Sequence, residues 1–357
     1  GLGLGSGWSS VVRDDHHRID VFDGGVVSNR GAFVMGEYQN TNHKYLTLAV
    51  SNGTFVATGK IDATKSLIQA AESEIRISGP DAVFQVGSYS SATPLFGSYA
   101  YGSRVIVENG ACVELPIAYS YGYTHKTVRN AVIFRNGARY NGGNVGMAGY
   151  GSGGKACYSN SFVVASGSVV TTAIFRANCV AGRVTVEDAT LVSTYNDAGK
   201  SYRAFWFGYP NDGTYSGGSN VVLEVKGRTP KVVAANGRIR FDCGSNLRIE
   251  LPDTPYAAEA LPLVSAKDTL VFDAATNCGV EILGADAFLR GLRRAHVRAA
   301  CCELVRAKSI ELSSAAQESA NRSLPENCVL AVETLVSGTQ SLVLKADATS
   351  GCAIFLR

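Results

Sequence analysis

Charge is scarce in this chain. Charged residues make up only 18% of the 357, and 33 basic against 30 acidic side chains leave a net charge of +3. So even a balance excludes a nucleic-acid binder that works through a strong basic footprint. No apolar run approaches the length that a membrane-spanning helix needs. The opening GLGLGSGWSS has neither a basic n-region nor a long apolar core, so any signal peptide is expected to be gone already. No C-x-x-C pair occurs among the nine cysteines, which leaves zinc ribbons and thioredoxin-like redox chemistry without support. Most of these cysteines are expected to act as small buried apolar residues, and the odd count leaves at least one unpaired within a monomer.

What the chain does have is glycine, 39 residues, and tyrosine, 16 residues. That mixture suits many short strands joined by tight turns. A recurring phrase supports the same reading: two apolar residues two apart, then a turn, then another extended run, as in VIVENGACVEL (105–115). Taking the second apolar residue as a mark gives Val21, Val50, Ile77, Val107, Phe134, Val164, Val186, Val225, Leu251, Phe272 and Leu312. The first five spacings are 29, 27, 30, 27 and 30 residues, and the later ones 22, 39, 26, 21 and 40. Two residues beyond most marks stands a turn former: Asp23, Asn52, Gly79, Asn109, Asn136, Ser166, Asp188, Gly227 and Asp253. Alternation predicts strands with one buried face, and Asn-Gly and Asp-Gly admit the positive φ of a sharp turn.

Hairpins recur every 8–12 residues, whereas a recurrence in the twenties to forties marks a stacked repeat. With about three extended runs per unit, each repeat predicts one coil of a right-handed parallel β-helix, its strands ~4.8 Å from those of the next coil. A pair of β-sandwiches is the competing architecture. The spacings of 39 and 40 predict two long insertions, one of them 195–218 and the place to seek recognition.

The phrase VENGA-x-V and its spacing resemble the pectate-lyase-like and autotransporter-passenger-like β-helices of secreted bacterial proteins, over roughly residues 10–283. The resemblance implies a solenoid over 1–283 and a secreted or cell-surface location; it is weak on activity, because that scaffold carries lyases, hydrolases, adhesins and inert stalks alike. The paired-aspartate, Gly-His-Gly and Arg-Ile-Lys pattern of polygalacturonase-like enzymes is missing. RTPKVV (228–233) matches the Arg-x-Pro-x-x-Arg of pectate lyases only in part, ending in Val233.

After Gly284 the phrasing changes. Phe288, Leu289 and Leu292 stand at helical spacing, CELVRAKSIELS reads as strand, SAAQESANRSLP as a short helix, and CVLAVET, QSLVLKA and CAIFL as three more strands. Residues 284–357 are therefore expected to cap the solenoid's open end. Six basic residues between 290 and 308 read as a solvated face, with an anionic surface as the alternative contact.

The third extended run of several units carries glycine followed closely by tyrosine, around Tyr38, Tyr99, Tyr101, Tyr121, Tyr123, Tyr150, Trp206 and Tyr209. Stacked coils would line these rings along one flank. They serve either as packing between coils or as a platform for sugar rings. Tyr121 and Tyr123, with the adjacent His125, are the foremost candidates for contact with a polysaccharide or cell-surface glycan. His125 and Lys126 also suggest a base and a charge stabiliser for proton abstraction from a uronic acid. DDHHR (14–18) reads as a solvated turn, since neighbouring side chains of a strand face opposite sides. No metal and no cofactor is expected. Cys157 and Cys179, each seven residues before a mark, should lie on adjacent coils, as a disulfide or as stacked thiols. The first expectation is a non-enzymatic stalk or adhesin-like module; a polysaccharide lyase or glycoside hydrolase is the second, and a fibre built by end-to-end stacking the third.

Overall fold

The computed structural model describes residues 10–12, 16–36, 44–60, 66–87, 93–97, 100–114, 117–121, 127–150, 157–198, 200, 203–209 and 218–349. The chain is all-β, with mostly parallel strands in long sheets, an arrangement compatible with a parallel solenoid.

Ten strands form the first ladder, from Arg18–Phe22 through Thr47–Ser51, Glu74–Ser78 and Arg104–Glu108 to Asn246–Glu250 and Gly279–Leu283. Its register runs Val21, Val50, Ile77, Val107, Phe134, Val164, Val186, Val225, Ile249, Ile282. The first eight are the marks read from the sequence. The last three marks are corrected. Leu251 gives way to Ile249, two residues earlier on the same face, and Ile282 takes the tenth place. Phe272 belongs to another ladder, and Leu312 follows the strand Ala299–Glu311. The spacing of 40 therefore disappears, while that of 39 between Val186 and Val225 stands.

All eight turn formers that follow those first marks have left-handed φ, from Asp23 at 46° to Gly227 at 96°. This backbone state closes the corner between each of these strands and the strand that follows it, and it explains why Asn, Asp and Gly recur there. The side chains also bond along the column: Asn136 Nδ2 donates to Asn109 Oδ1 at 3.2 Å, and Asn109 Nδ2 to Ser78 Oγ at 2.9 Å.

A second and a third ladder follow. Arg139–Asn141, Val169–Thr172, Thr190–Ser193 and Lys231–Ala234 pair in the second. Ile117–Tyr121, Val145–Tyr150, Phe175–Ala177, Phe205–Phe207 and Ile239–Phe241 pair in the third. The strand Val264–Phe272 pairs with both, its first half with Lys231–Ala234 and its second with Ile239–Phe241. Inward side chains rest on their equivalents. The rings of Phe207, Phe241 and Phe272 stack at 4.8 Å per step, each pair adding about 0.5–1.5 kcal/mol beyond burial.

The outer face of the first ladder carries paired charge. Glu108 accepts from Arg76 at 3.0 Å and from Arg135 at 2.7 Å, and Glu74 meets Arg76 and Arg104, each at 2.8 Å. Opposite charges on the same and neighbouring strands, with Glu74 level with Arg104 and Glu108 level with Arg135, are the sheet equivalent of ion pairs along a helix.

Beyond residue 283 the elements change character. Helix α1 (Ala285–Arg294) buries Phe288, Leu289 and Leu292. Gly291 stands where any larger residue would strike the backbone carbonyl of Asp253, so a residue that weakens a helix is required by close approach. The strand Ala299–Glu311 extends the sheet in parallel with Val264–Phe272, then pairs antiparallel with Gln340–Asp347, which in turn pairs with Cys328–Thr334. Helix α2 (Ser314–Arg322) covers the outermost strand. Its Asn321 side-chain amide donates to the Leu330 carbonyl at 3.0 Å and accepts from the Leu330 amide at 2.7 Å, standing in for a further strand. The predicted strand CAIFL lies outside the described residues.

Candidate functional site

A second corner returns the chain from the third ladder to the first. At each passage the equivalent residue takes left-handed φ: His16, Tyr45, Glu72, Gly102, Arg129, Ser159, Ala181, Asn220, Gly244 and Asn277, with Cys243 before Gly244 left-handed as well. The residue after the turn points inward. Ser73, Ser103, Asn130 and Asn160 fill those places, fully buried. Each accepts from the backbone N–H of its equivalent one repeat earlier: Ser73 Oγ from Leu46 at 3.0 Å, Ser103 Oγ from Ser73 at 3.0 Å, Asn130 Oδ1 from Ser103 at 2.8 Å, Asn160 Oδ1 from Asn130 at 2.9 Å. This polar spine satisfies amides that the bend removes from the ladders.

The residue before the turn points outward, and here the corner carries aromatic rings. Tyr101, Val128 and Tyr158 are joined by successive parallel bridges, and Tyr158 pairs onward with Val180. Their backbones are pinned: Gly102 N donates to Val128 O at 3.1 Å and Arg129 N to Tyr158 O at 3.0 Å. Tyr101 is 38% exposed and Tyr158 43%, with exposed Arg129 beside the half-buried Val128 between them.

Of the candidate residues, Tyr99, Tyr123 and His125 lie outside the described residues, as do Tyr38 and Lys126. Tyr121 and Tyr150 are in register on neighbouring strands of the third ladder. Tyr101 stands in the corner column rather than in that ladder. The column also contains Tyr158, which reading glycine-tyrosine pairs overlooked. Its signal was the repeat itself: Tyr101, Val128 and Tyr158 each lie six residues before a mark.

Trp206 and Tyr209 form a separate cluster at the root of the long insertion. Trp206 faces outward between Arg176 and Arg240 of the adjacent strands. Its Nε1–H donates to Asp242 Oδ2 at 2.5 Å, and the same oxygen accepts from Arg240 Nε at 2.7 Å. The Arg203 guanidinium lies 5.5 Å over the indole, and the Tyr209 ring packs 4.4 Å from it. Burial, then the neighbouring Arg238, pushes the Arg203 guanidinium below its ordinary value, while the Asp242 hydrogen bond holds Arg240 above it. With Trp206 9% and Tyr209 7% exposed, both rings serve packing in this conformation. The insertion is held at its base by buried Asp197, which accepts from the Arg238 amide at 3.0 Å and lies 3.2 Å from Arg238 Nε.

His16 and His17 are exposed, and the His16 ring lies tilted against Tyr45 with centroids 4.7 Å apart. Among the described residues no three His, Cys, Asp or Glu side chains gather as a metal site. Cys157 and Cys179 are direct register partners, both buried and both in the thiol form. Burial, and secondarily the neighbouring Cys157, pushes the Cys179 thiol far up, which suppresses thiolate chemistry. The chemistry that the exposed corner offers is stacking and hydrogen bonding. No helix among the described residues is long and apolar enough to cross a membrane. No protein-family model, curated protein or solved structure matches the chain.

Proposed function

We propose that residues 1–283 form a right-handed, single-stranded parallel β-helix of the pectate-lyase-like and passenger-like kind, three strands per coil, closed by a capping segment over 284–357. In this reading the protein is a secreted or cell-surface bacterial module, a stalk or adhesin-like rod without enzymatic activity, that contacts glycans through its tyrosine-rich flank. The supporting observation is the first ladder, ten strands in unbroken register from Arg18 to Leu283. Such a ladder suits a role of rigidity, because each repeat is held by the next along its whole length. Carboxylates such as Glu74 and Glu108 are engaged by arginines, which assigns them to the scaffold.

The test is a panel of neutral and anionic polysaccharides assayed for retention and for released reducing ends or unsaturated products. Retention without turnover is the expected result. Turnover would replace this reading with a lyase or hydrolase acting in a groove along the sheet, and neither retention nor turnover would remove glycan contact altogether.

A further inference from the structure

The corner column combines three properties that a packing role does not require. Its two tyrosines are exposed, they lie two repeats apart, and the rung between them is low. One repeat advances the sheet by ~4.8 Å, so the side chains of Tyr101 and Tyr158 are borne on backbones ~9.6 Å apart along the ladder axis. Val128 is the half-buried side chain of the middle rung, and Gly102 adds no side chain beside Tyr101. Arg129 is exposed on that middle rung and offers up to five N–H donors. The corner is therefore a donor set between two rings, on a backbone that the bridges and the buried spine below it keep from adjusting.

An extended pyranose chain meets such a track in a particular way. A β-1,4 linkage through equatorial positions makes a flat ribbon in which each sugar is turned over relative to the last. The same face then recurs at every second sugar, after a rise close to twice the length of one pyranose. Two rings two repeats apart therefore fit sugars n and n+2, and a cation between them fits the hydroxyl or carboxylate oxygens of sugar n+1. Chains with an axial α-1,4 linkage wind instead and do not return the same face at that interval. Resting on the glycan-contact reading above, we propose that Tyr101, Val128, Arg129 and Tyr158 form a binding track for an extended β-1,4-linked glycan lying parallel to the ladder axis. Tyr101 and Tyr158 stack on alternate sugars, and Arg129 hydrogen-bonds the sugar between.

The experiment is calorimetric titration of the whole chain with β-1,4-linked di-, tri- and hexasaccharides of glucose, of N-acetylglucosamine and of mannuronate, with α-1,4-linked glucose oligomers alongside. At least one β-1,4 series should bind, and its trisaccharide should gain about three- to tenfold over the disaccharide, the value of one further ring contact. In Tyr101→Ala and Tyr158→Ala that gain should vanish, whereas Tyr101→Phe and Tyr158→Phe should keep it, showing that the loss is of stacking and not of folding. Arg129→Gln should weaken the mannuronate series more than the neutral ones if a carboxylate is the natural contact, and equally if hydroxyls are. Equal affinity for di- and trisaccharide, preference for the α-1,4 series, or binding untouched by both alanine variants would overturn the track while leaving glycan contact elsewhere on the flank. Turnover of a bound chain would sink the non-enzymatic reading and leave the track standing.

Discussion

Replacing Gly227 by alanine tests the stacking of left-handed turns directly. Gly227 has φ of 96°, and a Cβ there would lie 2.5 Å from Oδ1 and 2.6 Å from Cγ of Asp188, the turn residue of the preceding repeat. That carboxylate accepts from the backbone amides of Arg228 at 2.5 Å and Thr229 at 2.9 Å. The substitution therefore has two costs. Holding a residue with a Cβ at positive φ costs about 1–2 kcal/mol. Pushing the carboxylate off its two amides costs about 1–2 kcal/mol more, discounted because the site is exposed. In a repeat protein such a loss is felt locally, so hydrogen exchange over peptides spanning 222–234 is the assay of choice. A total of about 2–4 kcal/mol corresponds to a fall in protection of roughly 30- to 1000-fold. The decisive comparison is a double-mutant cycle. In an Asp188→Ala background the clash is gone, and only the conformational cost of about 1–2 kcal/mol should remain. A Gly227→Ala effect that is negligible, or equal in both backgrounds, would refute the stacked-turn geometry.

Three further outcomes are expected. Asn160→Leu should destabilise the repeats around it by about 2–5 kcal/mol, because the Asn130 amide and the Thr127 carbonyl and hydroxyl lose their partner in a dry interior, while Asn160→Ser should cost less; exchange or denaturation compared with the native chain checks both. Glu303 is raised by burial, but hydrogen bonds from Arg306 and Ser341 outweigh this and hold it below the usual carboxylate range. A depressed carboxylate contributes stability that is present above its unfolded value, about 4.3, and is lost as pH falls through the folded value. The C-terminal sheet should therefore loosen on acidification below about pH 4, and Glu303→Gln should flatten that dependence when exchange over 299–311 is followed against pH. Mass spectrometry of the unreduced protein should find Cys157 and Cys179 both as thiols; a peptide pair joined through them would contradict the reduced state seen here.

Much of the architecture was legible because burial enforces it. Eight marks were found by alternation alone, and the turn formers behind them took up the left-handed φ that Asn, Asp and Gly signal. The two helices and the strands at 299–311, 328–334 and 340–347 also followed from spacing, down to the stop before Pro325. The error at Leu251 has a plain cause. Leu247, Ile249 and Leu251 keep the same two-residue period, so a slip of two leaves the apolar pattern unchanged and only the pairing with Leu223 and Val225 decides it. The candidate site was read less well. Tyr101 is marked by a local glycine-tyrosine pair, whereas Tyr158, which shares its column, has no such pair. Trp206 looked like a ring offered to ligands until its partner Asp242, 36 residues away, and the covering Arg203 and Tyr209 were located.

By itself the sequence determined the period, the buried face of the first eight strands of the first ladder and the turns that follow them, since these depend on side-chain hydrophobicity and local φ preference. The tertiary structure alone decided the second corner. Tyr45, Glu72, Arg129 and Ala181 have no intrinsic liking for left-handed φ, yet they adopt it because parallel pairing of the repeats on either side leaves the chain no other way round. It also decided which rings meet solvent, because outward and inward places in that corner are set by pairing across repeats about thirty residues apart and not by anything adjacent in the chain.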